Sequence, residues 1–144
     1  MKARVSAWLC VALAGFVLGG CASVPTGQVK AVYHISADLE QATNGLRNAN
    51  NHLTADPKAK IVFVAHANGL HFMLDGAKDK NGNSYDALVH DLMGKGVEFR
   101  ACRFTLERQK IDPKRLIQGA VIIPSGVAEV ARLQSQEGFS YVKP

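Results

Sequence analysis

Two stretches of the chain, residues 61–65 and 120–123, are continuous apolar runs of strand length. Such runs are typical of strands that are buried on both faces of a sheet. Other segments carry apolar residues at three- and four-residue steps, which predicts amphipathic helices. The clearest of these stripes consists of Leu39, Ala42, Leu46, Ala49 and Leu53. Because strands separated by helices need crossover connections, the chain is expected to form a mainly parallel sheet.

Further segments continue this alternation. Residues 29–35, 97–101 and 139–142 are rich in β-branched and aromatic side chains, and they predict three more strands. Ser84 and Ser125 each precede a helical pattern and are expected to cap it. The predicted fold class is therefore α/β, a three-layer sandwich with a mainly parallel sheet of about five strands.

The N-terminus has the pattern of an export signal. Lys2 and Arg4 precede an apolar stretch, residues 7–18, which has the length of a signal-peptide core and is short for a membrane span. The following Leu18-Gly19-Gly20-Cys21 resembles the lipobox of bacterial lipoproteins. This resemblance implies cleavage before Cys21 and attachment of lipid to it. The alternative is an ordinary signal peptide followed by a chance cysteine.

The lipobox divides the chain into three parts. Residues 1–20 are the predicted signal peptide, residues 21–28 a lipid-attached linker, and residues 29–144 a single domain. More than one acyl chain gives a stable membrane anchor. In lipoproteins, Ala22 after the cysteine implies sorting to the outer membrane. We therefore expect a periplasm-facing lipoprotein of the cell envelope.

The charge of the chain is mild. Without Lys2 and Arg4, 15 of the 17 basic residues remain against 12 acidic residues, which leaves a net charge of about +3. The basic residues are scattered, and no aromatic platform accompanies them, so no nucleic-acid partner is expected. The sequence has no Walker or dinucleotide-binding motif, and no cofactor is predicted.

Cys102 is the one thiol left when the signal peptide is removed and Cys21 carries lipid. An unpaired cysteine is unusual in an exported protein. It stands where the strand over 97–101 runs into a helix, close to Arg100 and Arg103. A thiol at a helix start beside cations ionises more readily than a free thiol. Cys102 is therefore the predicted reactive centre, supported by both arginines; the alternative is a small, packed core residue.

Polar residues follow several of the predicted strands. His66, Asn68 and Gly69 come after the second strand and Ser125 after the fourth. Because parallel strands end at one edge of a sheet, these residues are expected to share a rim with Cys102. His66 and Asn68 are therefore candidates to orient a group that reacts with the Cys102 thiol.

A mixed zinc or copper site is a further alternative at this rim. It would use His66, His71 and Cys102, whose nitrogen and sulfur ligands suit both metals. No second cysteine or acidic ligand lies near them in the sequence, so no metal is predicted.

Several motifs carry a family resemblance. They are Gly96 to Ile111 with Cys102 inside, Tyr33-His34-Ile35, Asn51-His52-Leu53, Val64-Ala65-His66-Ala67-Asn68-Gly69, Ser125-Gly126-Val127-Ala128-Glu129 and the closing Gly138 to Pro144. In this order they resemble the small single-domain branch of the DsrE/DsrF/TusD family of sulfur-relay proteins. The resemblance implies a YchN-like fold and a homotrimer or homohexamer. It also implies that Cys102 accepts sulfane sulfur as a persulfide.

Two functions of different classes follow from these observations. The first is a sulfur carrier or sulfurtransferase that exchanges sulfur with a donor or acceptor protein or a small polysulfide. The second is a non-catalytic, oligomeric binding or scaffold lipoprotein in which Cys102 is structural. Assembly is also favoured by an apolar surplus around the fourth strand, which includes Val121, Val127 and Val130.

Overall fold

The computed structural model describes residues 27–144, and strands and helices alternate along them. The strands are β1 (Lys30–Ile35), β2 (Lys60–Ala65), β3 (Glu98–Cys102), β4 (Val121–Ile123) and β5 (Ser140–Val142). The α-helices are α1 (Leu39–Ala55), α2 (Tyr85–Gly94), α3 (Arg103–Arg108) and α4 (Gly126–Glu137). Two 3₁₀ segments, Ala67–Met73 and Pro113–Arg115, complete the described elements. The predicted signal peptide and Cys21 lie outside these residues.

The five strands form one sheet in the order β4-β3-β2-β1-β5, and every neighbouring pair is parallel. The register places Ile35 beside Ala65, Ala65 beside Ala101, and Cys102 beside Ile123. The predicted α/β class and its parallel sheet are thus confirmed. Because the strands end in register, the segments that follow them meet at one edge.

Helices cover both faces of the sheet. On one face α1 and α2 pack over a core that contains the stacked rings of Phe63 and Phe99. On the other face α4 covers Val62 and Val64 of β2, and Leu133 of α4 is fully buried there. β2 is therefore buried on both faces, as its apolar run predicts. Among residues 27–144, no helix has both the length and the apolar character needed to cross a bilayer.

The loop after β1 is shaped by the start of α1. The Asp38 carboxylate accepts a hydrogen bond from the Gln41 backbone N–H at 2.9 Å. The buried Gln41 side chain accepts from the backbone N–H groups of Ser36 and Ala37, at 2.8 and 2.9 Å. These three hydrogen bonds satisfy backbone N–H donors that would otherwise remain unpaired near a helix N-terminus. They hold the end of β1 close to the helix.

Two local features differ from the sequence-based expectation. Ser84 makes no side-chain capping bond at the start of α2, and it pairs instead with Lys78 in an isolated β-bridge. The residues after β2 form the 3₁₀ segment Ala67–Met73, which the helical and strand periodicities did not predict. Directly after this segment, Leu74 forms an isolated antiparallel bridge with Leu116, the residue that follows the 3₁₀ segment Pro113–Arg115.

Candidate functional site

A cleft of about 510 Å³ opens at the carboxyl edge of the sheet, where β2, β3 and β4 end. It is lined by His66, Ala67, Asn68, Cys102, Phe104, Thr105, Arg108, Gln109, Ser125, Gly126 and Val127. Four of the residues predicted from the sequence, His66, Asn68, Cys102 and Ser125, therefore lie around one space. The parallel register brings them together, as expected for this class of sheet.

The Cys102 sulfur lies at a junction of three elements. Cys102 is the last residue of β3 and the N-cap of α3, with an extended backbone at φ −72° and ψ 117°. The residue is only 5% exposed. The backbone N–H groups of Phe104, Thr105 and Gly126 and the Thr105 hydroxyl are the donors near its sulfur that lower the pKa of the thiol, and the side chain makes no capping bond to α3. These donors favour a negatively charged sulfur.

Two opposing effects decide how readily Cys102 ionises. Burial is the larger single effect, and it raises the pKa of the thiol. The four donors act together in the other direction, led by the Gly126 N–H, and they bring the pKa of the thiol below its usual value. The thiolate is therefore stabilised by aligned neutral donors.

Thr105 connects Cys102 to the segment that follows β2. The Ala67 backbone N–H donates to Thr105 Oγ1 at 2.9 Å, and Thr105 is 8% exposed. Because the oxygen already accepts this bond, its own proton is available for the sulfur. Ala67 has a positive φ of 50°, a conformation that residues with a side chain adopt rarely. The backbone of the 3₁₀ segment thus orients the hydroxyl that faces Cys102.

Ser125 and Gly126 contribute the beginning of α4. The Ser125 hydroxyl accepts from the Ala128 N–H at 3.4 Å, so it caps α4 as predicted. The Gly126 N–H, in the first turn, is the donor that lowers the pKa of the Cys102 thiol most. A Cβ atom at Gly126 would lie 3.0 to 3.3 Å from ring and Cβ atoms of His66. Glycine at this position therefore lets the imidazole pack directly on the helix start.

Asn68 and Gly69 have different positions. The exposed Asn68 side chain lines the cleft. Gly69 is buried, and a Cβ atom there would lie 2.6 Å from backbone atoms of Ile35 and Ser36. Gly69 thus permits close contact between the 3₁₀ segment and the end of β1, and it does not line the cleft.

The two arginines predicted to support Cys102 do not line its cleft. The Arg100 guanidinium pairs with the carboxylates of Glu98 and Glu129. Glu129 also accepts two bonds from Arg132, at 2.8 and 2.9 Å. The bond from Arg132 is the main cause of the lowered Glu129 pKa, with burial opposing it and Arg100 adding to it. Arg100 is therefore part of an ion-pair network between β3 and α4.

Arg103 is exposed and lines a separate cleft with Leu106, Lys110 and Ile122. The cation at the Cys102 cleft is Arg108. Helical spacing explains the difference, because steps of three residues from Cys102 lead to 105 and 108. A count along the predicted helix would have indicated these positions.

Three aromatic side chains form a hydrogen-bonded chain beside the cleft. His34 Nε2 lies 2.7 Å from His66 Nε2, and the two rings stack with centroids 4.8 Å apart. His34 Nδ1 lies 2.8 Å from the Tyr141 hydroxyl. His34 lies near the end of the strand that was predicted over residues 29–35, but the sequence did not indicate that it would contact His66. This pairing depends on β1 and β2 being neighbours.

The alternative metal site does not form in the described part of the chain. His71 Nε2 lies 2.7 Å from Gln109 Oε1, so its ring is engaged elsewhere. Among residues 27–144, no group of three or more His, Cys, Asp or Glu side chains is arranged to hold a metal ion.

Comparisons with known proteins agree with this architecture. The profile of the DsrE/DsrF-like family matches residues 30–144. The protein of unknown function MTH1491 from Methanobacterium thermoautotrophicum is 28% identical, with a TM-score of 0.72; the match covers 81% of this chain and all of that one. The E. coli ychN protein has the same fold at 19% identity and a TM-score of 0.66, covering 81% of this chain and 97% of that one. A comparison with curated proteins found no match. The family profile spans most of the sequence, and the chain therefore belongs to the DsrE/DsrF-like family.

Proposed function

We propose that this protein accepts sulfane sulfur on Cys102 as a persulfide and passes it to another thiol. The observation that carries the proposal is the set of four hydrogen-bond donors around the Cys102 sulfur. Such donors stabilise an anionic sulfur, which is the nucleophile in sulfur exchange. The cleft of about 510 Å³ has room for a small donor or for the end of a partner's side chain. Membership of a family generally related to sulfur relay supports the same chemistry.

The transfer step needs no external oxidant or reductant. The Cys102 thiolate attacks the outer sulfur of a donor persulfide, R–S–SH, and a new S–S bond forms on Cys102. The donor S–S bond breaks, and the donor leaves as the thiolate R–S⁻. Delivery is the reverse reaction, in which an acceptor thiolate attacks the outer sulfur and Cys102 leaves as the thiolate.

The alternative proposal is a binding or scaffold protein in which Cys102 is structural. The observation that favours it is burial, since buried cysteine commonly acts as a small apolar side chain. Packing alone gives no reason for the Thr105 hydroxyl and three backbone N–H groups to surround the sulfur. The two functions therefore differ in whether the sulfur reacts in the folded state.

Exposure of the folded protein to inorganic polysulfide tests the proposal. Cys102 is expected to gain one sulfur atom, about 32 Da, and to lose it on treatment with dithiothreitol. Mass spectrometry of the intact protein and of the peptide that contains Cys102 measures the adduct. Cys102→Ser is the matched blank, because serine nearly preserves the shape of the side chain. A Cys102 that stays unmodified until denaturant is added would contradict the sulfur-carrier function and leave the binding or scaffold function as the alternative.

We extend the proposal to anchoring and assembly. The lipobox ending at Cys21 supports a lipid-anchored protein of the cell envelope, facing the periplasm from the outer membrane. An oligomer is supported by apolar side chains exposed beside edge strand β4, namely Val121, Phe104 (56%) and Val127 (63%).

Two measurements test these properties. Cys21→Ser is expected to release the protein from membranes or to block its processing, because the lipid has no attachment point. The wild-type protein, processed in the same cells, is the control. Variant protein that stays with the membrane and is cut at the same bond contradicts anchoring. Light scattering of residues 22–144 at micromolar concentration is expected to show a trimer or hexamer, and a monomer contradicts assembly.

A further inference from the structure

The contact between His34 and His66 requires a proton between two ring nitrogens. The Nε2 atoms are 2.7 Å apart, a hydrogen-bond distance, and both rings are half-buried. A neutral imidazole donates from one nitrogen and accepts at the other. One Nε2 therefore carries hydrogen and its partner does not. In the neutral pair the two rings must be opposite tautomers.

The Tyr141 hydroxyl extends this constraint to three side chains. It lies 2.8 Å from His34 Nδ1 and can either accept from this nitrogen or donate to it. If Tyr141 donates, His34 donates to His66, and His66 Nδ1 carries a hydrogen. If Tyr141 accepts, His66 donates to His34, and His66 Nδ1 is bare. The state at Tyr141 thus determines whether His66 Nδ1 is an acid or a base.

We propose that Tyr141, His34 and His66 form a proton relay that connects bulk water with the Cys102 cleft. Tyr141 is 43% exposed, which gives the relay a solvent end. His66 lines the cleft with Cys102, which gives it an inner end. This inference rests on the proposed sulfur exchange and assigns the proton transfers that accompany it.

The relay balances the protons of both half-reactions. In loading, the leaving thiolate R–S⁻ takes the proton from His66 Nδ1 and departs as R–SH. Protons then move from His34 to His66, from Tyr141 to His34, and from water to Tyr141. In delivery, the acceptor thiol loses its proton to the bare Nδ1 of His66, and each step runs in the opposite direction. Tyr141, His34 and His66 are neutral after each transfer, and Cys102 is a thiolate after delivery. The water that protonates Tyr141 in loading becomes hydroxide, and hydroxide takes up the proton that Tyr141 releases in delivery.

The surroundings keep the two rings neutral near pH 7. Burial is the main cause of the lowered pKa of both histidines, and repulsion by His66 and Lys143 lowers the pKa of His34 further. Among the described groups, Tyr141 and Lys143 lie at the β5 end of the relay. At the other end, Cys102 and Arg108 line the same cleft as His66. At a pH below the lowered pKa, an added proton would occupy the His66 nitrogen that must accept the proton of the acceptor thiol. Delivery should therefore slow as pH falls through that value.

Tyr141→Phe tests the relay because it keeps the ring and removes the hydroxyl. The full-length protein, loaded with polysulfide, is mixed with glutathione, and loss of the added sulfur is followed by quench and mass spectrometry. Delivery at neutral pH is expected to slow about tenfold, since a positioned proton carrier contributes at least this much. The decrease of the delivery rate at low pH, which protonation of the imidazoles causes, should also become smaller. The yield of loading at equilibrium should not change.

Tyr33→Phe is the matched control. Its hydroxyl lies 3.1 Å from His52 Nδ1 in a separate tyrosine–histidine pair on the α1 side of the sheet. Delivery by this variant should match the wild type. His66→Ala should slow delivery, and added imidazole should restore it in part, which loss of structure would not allow. Equal rates for Tyr141→Phe and the wild type would overturn the relay.

Nitrogen NMR of the histidine rings tests the relay without sulfur chemistry. Above the pKa of the pair, the fraction of His34 that carries hydrogen on Nδ1 should equal the fraction of His66 that carries it on Nε2. A fraction of His34 with hydrogen on Nδ1 that differs from the fraction of His66 with hydrogen on Nε2 would overturn the relay. Failure of Cys102 to load contradicts the proposed function instead, and the NMR result still decides whether the chain of hydrogen bonds exists.

Discussion

Thr105→Val is expected to slow the reaction of Cys102 with a small alkylating reagent about tenfold near pH 7, because a hydrogen bond to a charged group contributes about 2 kcal/mol. The hydroxyl is one of the donors that lower the pKa of the thiol. Without it the pKa rises, and less thiolate is present at neutral pH. At pH values above both pKa values the two proteins should react alike, because the thiol is then fully ionised. The rate of iodoacetamide modification, measured against pH, checks this result.

Thr105→Ser provides the matched control. Serine keeps the hydroxyl that accepts from the Ala67 N–H and lowers the pKa of the Cys102 thiol, so its pH profile should follow the wild type. Valine also leaves the Ala67 N–H without its partner, which costs about 2 kcal/mol of folding free energy. Urea unfolding measures that cost and shows whether the variant is folded during the assay. A valine variant with the wild-type profile would exclude the hydroxyl as a source of thiolate stabilisation.

Gly69→Ala is expected to lower the free energy of unfolding by about 3 kcal/mol, at the upper end for an overpacked site. The new methyl group would lie 2.6 Å from the Ile35 carbonyl and the Ser36 nitrogen, which belong to the backbone and cannot rotate away. The 3₁₀ segment would have to move, and with it the Ala67 N–H that positions Thr105. Urea denaturation measures the loss, and the variant should also react more slowly at Cys102.

Gly94→Ala is the control for this substitution. Gly94 lies in the last turn of α2, and a Cβ atom there would meet nothing within 4 Å. Alanine at an open helical position restricts the unfolded chain and should leave the stability unchanged or raise it by about 0.5 kcal/mol. If both variants lose the same stability, the contact with the end of β1 is not what requires glycine at position 69.

Much of the fold follows from periodicity. The stripe from Leu39 to Leu53 predicted α1, and the apolar run over 61–65 predicted β2. Burial of one helix face, or of both faces of a strand, requires apolar residues at regular positions in the sequence. The shared rim of His66, Cys102 and Ser125 followed from one rule about parallel sheets. These features depend on local pattern and on a general topology.

The residues that tune Cys102 were harder to predict. Arg100 and Arg103 are its neighbours in sequence, but the register of β3 and α3 places them in an ion-pair network and in another cleft. Thr105 and Gly126 lower the pKa of the Cys102 thiol although neither residue carries a charge. Hydrogen bonds at a strand-to-helix junction depend on backbone direction, which residue type alone does not report.

The sequence by itself determined the alternation of strands and helices and the position of Cys102 at the end of a strand, since both depend on residues that are neighbours in the chain. Only the tertiary structure decided the strand order β4-β3-β2-β1-β5. That order makes β1 the neighbour of both β2 and β5, and so joins Tyr141, His34 and His66. These contacts span 32 and 107 residues, and no local pattern specifies them because sheet pairing is set by packing of the whole domain.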